Sequence, residues 1–143
     1  MLGIALFGIN TAYATGIKPN EKVKQSFNRE FTKIQKVDWD DANSDGIYKA
    51  SFVFNNENLQ AYFTEEGDFL GTIRFIVKSQ LPILVSKELD QKYPNAVISA
   101  VSELSKPDGL SYFITIITEK GSKVLKATAN GELTVHQRGK NKL

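Results

Sequence analysis

Apolar residues recur along this chain with two distinct periods. In VKQSFNREF (23–31) Val23, Phe27 and Phe31 are spaced i, i+4, i+8, and in VSKELDQKY (85–93) Val85, Leu89 and Tyr93 repeat that spacing. Each trio lies on one face of a helix. The first helix is expected over about residues 21–32, with Asn20 as N-cap and Glu21 in the first turn. Leu81-Pro82 opens the second and Tyr93-Pro94 closes it, because proline suits a first helical turn and disfavours helix in the residue before it. The remaining segments alternate with period two. Strands are expected at 34–39, 47–54, 59–65 and 68–77, then at 96–104, 111–118, 123–129 and 132–138. Asp45-Gly46, Asn55-Asn56, Glu66-Gly67, Asp108-Gly109, Lys120-Gly121 and Asn130-Gly131 mark the turns between them.

The two halves can be laid over one another. YKASFVF (48–54) falls beside YFITIIT (112–118), and LQAYFTEEGDF (59–69) beside KVLKATANGEL (123–133), with Gly67 over Gly131. The expected fold is α+β, a tandem duplication of a helix plus a four-stranded antiparallel unit. Both helices would pack on one face of a roughly eight-stranded sheet. The expected repeats are 15–78 and 79–143, forming one compact domain. Alternation places Tyr48, Ala50, Phe52 and Phe54 on the apolar side, with Tyr112, Ile114 and Ile116 in the matching strand. It also puts Phe69, Ile73, Phe75 and Val77 there, opposite Thr72, Arg74 and Lys78. The other face is expected to be polar, wide and without a cavity, which suits a protein partner better than a small substrate.

The N-terminus departs from this pattern. MLGIALFGINTAYATG carries no charged side chain, and an apolar run from Leu2 to Phe7 leads to Ala12-Tyr13-Ala14. Small residues at −3 and −1 of a cut after Ala14 are those of a secretory signal, so residues 1–14 are expected to be removed and the protein to be periplasmic or secreted. The run is too short to cross a bilayer, and no other segment approaches the ~18 apolar residues that a transmembrane helix needs. A net charge of +2 over 143 residues is too small and too dispersed to indicate nucleic acid. With no cysteine, disulfides, thiolate catalysis and Cys-based zinc sites are excluded.

Candidate chemistry is sparse. DANSDG (41–46) matches the first half of an EF-hand loop through Asp41, Asn43, Asp45 and Gly46. The twelfth loop position, which needs a bidentate carboxylate, is Phe52, and strands rather than helices flank the loop. Asp, Asn, Ser and Gly are also what a hairpin turn requires, so a turn is the expected reading and no metal site is favoured. Calcium binding at Asp41, Asn43 and Asp45 is the alternative. His136 is the only histidine and lacks both a second zinc ligand and a nucleophile beside it. The phosphate-binding glycine loops and the serine-nucleophile motifs are missing, so no catalytic residues and no cofactor are expected. Trp39, in VDWDD, is either packed against a helix or the anchor of a binding surface. The candidate protein-binding residues are Trp39, Lys49, Tyr62, Arg74 and Lys126.

The signal-like N-terminus, the Val37-x-Trp39 strand, AYFTEEGDFLGT (61–72), the Leu81-Pro82 helix start and the Tyr93-Pro94 stop together resemble the PepSY-like proteins of Bacteroidetes. That family is itself likened to β-lactamase-inhibitor proteins. The resemblance spans residues 20–138 and implies an exported protein of two helix-plus-sheet repeats, without catalytic residues. Related PepSY modules accompany peptidase propeptides, which implies a peptidase or another exported hydrolase as partner and inhibition as the activity. Exposed edge strands leave room for a homodimer. A small-ligand or calcium-binding envelope protein using the 41–46 loop is the alternative function.

Overall fold

The structure is a computed structural model that describes residues 16–42 and 46–139. The expected signal peptide, Asn43 and Asp45 lie outside the described residues. The elements run in the order α1 (Glu21–Glu30), β1 (Asp38–Asp41), β2 (Ile47–Phe54), β3 (Glu57–Thr64), β4 (Phe69–Ile76), a short 3-10 turn, α2 (Ile83–Lys92), β5 (Val97–Lys106), β6 (Gly109–Thr118), β7 (Gly121–Thr128) and β8 (Leu133–Gly139).

The strands follow sequence order, β1 to β8, in a single eight-stranded sheet. The ladders β1–β2, β2–β3, β5–β6, β6–β7 and β7–β8 are all antiparallel. This corrects the expected α+β class. The helices have only ten residues each, strands account for just over half of the described residues, and the fold is mostly β. A tandem of helix-plus-four-strand units is not what the topology displays. Strands join neighbour to neighbour in one sheet, and the chain divides into two compact units at Thr72/Ile73, inside β4. The sequence had suggested a division between 78 and 79.

In the first unit (1–72) α1 lays Val23 and Phe27 on Ala50, Phe52, Ala61 and Phe63. The Phe27 ring meets Phe52 edge-on with centroids 4.9 Å apart, and meets Trp39 in the same way at 5.5 Å. Edge-to-face contact favours aromatic packing beyond the area that it buries. Asn20 caps the helix as expected, accepting from the Val23 amide at 2.9 Å, and its side-chain amide donates to Glu65 O at 2.9 Å. One residue thus closes the helix end and ties it to the turn between β3 and β4. Gly67 in that turn has φ +91°, and a Cβ there would stand 2.9 Å from Lys22 O. Glycine is required on both counts.

The first strand is shorter than expected. Residues 34–37 are not strand, and Ile34 and Val37 both pack against the core of this unit. Strand alternation would send those two positions to opposite faces, so the segment can bury both only by leaving the extended form.

In the second unit (73–143) α2 places Val85 and Leu89 over Val101, Ile114, Ile116 and Leu125. β4 enters this core through Ile76 and not through Phe75 or Val77, which are 66% and 60% exposed. The expected assignment of Phe75 and Val77 to the buried side is therefore corrected. In the second-unit part of β4 the side chain that enters the core is at position 76, one place out of step with the expected assignment.

Two substitutions test this packing in opposite directions. Gly67→Ala should lower stability by about 2 kcal/mol or more, through backbone overlap and an unfavourable φ. Ser26 is 1% exposed and its hydroxyl has no hydrogen-bond partner. Ser26→Ala should leave stability unchanged or raise it by roughly 1 kcal/mol, because an unsatisfied buried polar group is removed. Urea unfolding followed by circular dichroism measures both.

Candidate functional site

Ladder register decides which of the predicted binding residues meet. In the first unit Lys49 lies opposite Asp40 on one side and Tyr62 on the other, and all three point away from the helix. The Lys49 ammonium is 3.5 Å from Asp40 Oδ2, and the Tyr62 hydroxyl donates to Gln60 Oε1 at 3.1 Å. Partial burial pushes the Tyr62 phenol above its ordinary value of 10.0. Lys49 and Tyr62 therefore do belong to one surface. Trp39 does not join them: it pairs with Ala50, and its ring packs on Phe27 and Phe63 from the core side. Of the two readings of Trp39, packing against a helix is the one observed.

In the second unit Arg74 is not on the outer face, as alternation had suggested. Its Nε donates to Glu103 Oε1 at 2.7 Å, and Glu103 stands directly opposite Tyr112, whose side chain is buried in the core. Arg74 therefore shares the helix-side face with Tyr112. The pair is well shielded, the Arg74 and Glu103 side chains being only 30% and 15% exposed. Desolvation, followed by the Glu103 carboxylate through both its charge and a hydrogen bond, pushes the Tyr112 phenol above 10.0, while Arg74 opposes the shift. A phenol held protonated well past neutral pH is a hydrogen-bond donor and not a nucleophile. The Arg74–Glu103–Tyr112 group is thus a polar seam at the core margin. Lys126, opposite Phe113 and exposed, lies on the other face, so Arg74 and Lys126 are not brought together.

The outer face of the second unit was expected to be polar and is largely apolar. Phe75 on β4, Val77 just after it, Val97 on β5, and Phe113 and Ile117 on β6 all point outward. The ring of His136 stands edge-on to Phe113 at 5.1 Å. Lys106, Lys126 and His136 are the ionisable groups among these outward strand residues, and among the described residues no strand carboxylate joins them. Period two concealed this surface, because β4 carries apolar side chains at both parities. The one available signal was the crowding of Ile73, Phe75, Ile76 and Val77 into five positions, more than one face can bury.

Beside the 41–46 segment, Ala42 N donates to Ile47 O at 2.9 Å, and Gly46 has φ +74°. Asn43 and Asp45 of the alternative calcium ligand set lie outside the described residues. Among the described residues no three acidic or histidine side chains group as a metal site would require. Nor is any helix among them long and apolar enough to cross a membrane.

No family model matches the chain, and no curated protein matches it. Solved structures do. A DUF2874 family protein from Bacteroides ovatus aligns with a TM-score of 0.74 at 22% identity, over 84% of this chain and 89% of that one. A BLIP-like protein from Bacteroides fragilis aligns with a TM-score of 0.76 at 16% identity, over 90% and 92%. A candidate periplasmic protein from Bacteroides eggerthii gives 0.72 at 15% identity, over 86% and 89%. The chain shares its fold with these Bacteroides proteins. The likeness to a BLIP-like protein agrees with the β-lactamase-inhibitor side of the sequence resemblance; none of these proteins is described as PepSY-like.

The polar seam has a signature in alkali. A raised phenol pKa stabilises the folded state fully below the unfolded value of 10.0, and that stabilisation is lost as pH rises through the folded value. The melting temperature should therefore fall as pH is raised beyond about 10. It should fall less steeply in Tyr112→Phe, with Tyr62 supplying the remaining slope. Scanning calorimetry across that range measures it.

Proposed function

We propose that this protein is an exported, non-enzymatic binding module that docks a protein partner, an exported hydrolase, on the outer face of its second unit. The observation that carries the reading is the outward row of Phe75, Val77, Phe113 and Ile117, set beside Lys126 and His136 with no outward carboxylate among them. Exposed aromatic and aliphatic side chains with a few flanking cations are the composition of an interface centre. An open sheet face also has room for the ~1,000 Å² of total buried area that a specific complex needs. The complementary partner presents an apolar protrusion with carboxylates placed to meet the lysines.

Inhibition of a hydrolase is supported by the sequence resemblance to PepSY-like proteins and by the fold shared with a BLIP-like protein. Export is supported by the signal-like N-terminus and by a structural relative described as a candidate periplasmic protein. Of the residues first put forward, Lys126 remains in the site. Lys49 and Tyr62 belong to the first unit's outer surface, while Trp39 and Arg74 are engaged in packing and in the polar seam.

Capture from an envelope extract by residues 15–143, compared with a Phe75→Glu/Val77→Glu variant, tests the reading. Both positions are exposed, so the variant keeps its fold. A hydrolase should be retained by the parent protein, lost from the variant, and inhibited when the purified pair is mixed. Retention of the same hydrolase by the variant would contradict the proposed face.

A further inference from the structure

β1 is half as long as the strand it pairs with, and the shortfall leaves a defined place on the first unit. The four residues Asp38–Asp41 pair with Ser51–Tyr48, so Phe52, Val53 and Phe54 of β2 extend past the end of β1. The Ala42 N–H bond to Ile47 O shows that residue 47 turns its backbone polar groups toward β1. In an antiparallel strand that orientation recurs at every second residue, hence at Lys49, Ser51 and Val53. Val53 thus directs its N–H and C=O to the side that β1 has vacated, while its side chain is 57% exposed. An open cleft of about 590 Å³ lies here, lined among others by Lys33, Lys36, Asp38, Ser51, Val53 and Asn58. Lys33 and Lys36 form no ion pair among the described residues, so the wall is net basic.

We propose that this cleft takes an extended acidic peptide segment, added as a strand against the vacated edge of β2. One peptide residue exchanges backbone hydrogen bonds with Val53, as in other strand-addition complexes. Its neighbours fill the cleft, and their carboxylates face Lys33 and Lys36. Backbone pairing fixes the direction of the segment and the two lysines select its charge. The inference lies wholly within the first unit and does not rest on the outer face of the second.

The test uses the whole chain and three fluorescein-labelled, end-blocked pentapeptides: Val-Glu-Val-Glu-Val, Val-Lys-Val-Lys-Val, and the first of these N-methylated at its central valine. Fluorescence anisotropy should show saturable binding of the acidic probe alone. In amide NMR spectra the Val53 resonance should move on titration. A Lys33→Glu/Lys36→Glu variant, altered only at exposed positions, should bind the acidic probe at least about tenfold more weakly. Equal binding of the lysine or N-methylated probe overturns the proposal without recourse to any variant. So does an unmoved Val53 resonance, or the absence of binding at millimolar acidic probe.

Discussion

Ladder register determines which side chains of this protein reach solvent, because moving a strand by one residue exchanges its two faces. The antiparallel pairing of Ala50 with Ala61 lays two fully buried small side chains beneath α1, where Phe27 can settle between Phe52 and Trp39. The pairing of Glu103 with Tyr112 turns a carboxylate toward the helix side, where Arg74 neutralises it. At the end of β4 Ile76 is buried, which leaves Phe75 before it and Val77 after it exposed. Each surface with a claim to function is what the register leaves exposed after the cores are filled.

The helices are held to their strands by close contact as well as by burial. Gly67 lets its turn approach the backbone of α1 at Lys22, and Gly131 does the same for α2 at Leu84, where a Cβ would stand 2.9 Å from the carbonyl oxygen. Neither turn could make that approach with a side chain. The helix-side face is thereby closely packed, while among the described residues no element covers the opposite face within the second unit.

Much of this was legible in the sequence where a single local rule applied. The i, i+4 trios found both helices, and Asn20 was recognisable as a cap. Asn55-Asn56 marked a two-residue turn, and both residues have positive φ. The rest depended on partners that no local pattern reveals. Residues 34–37 read as strand because their alternation is good, yet Ile34 and Val37 are drawn together to the aromatic core. Arg74 read as outward because parity was counted from Phe69, which packs in the first unit's core, whereas Ile76 enters the second unit's. The sequence likeness between the halves suggested a duplicated α+β architecture, whereas strand length and neighbour-to-neighbour pairing produce one mostly-β sheet. The cleft beside Val53 exists because β1 stops at Asp38, an end point set by packing and not by a breaker residue.

The functional reading therefore stands or falls on whether the end of β4 turns Ile76 to the core and leaves Phe75 and the following Val77 in solvent. The absence of cysteine makes this directly measurable. Single cysteines placed by Phe75→Cys, Ile76→Cys and Val77→Cys can each be followed by the rate of maleimide labelling in the folded protein. Rapid labelling at 75 and 77 with protection at 76 is the predicted result. Protection at 75 and 77 with rapid labelling at 76 would contradict the register, and with it the apolar docking face.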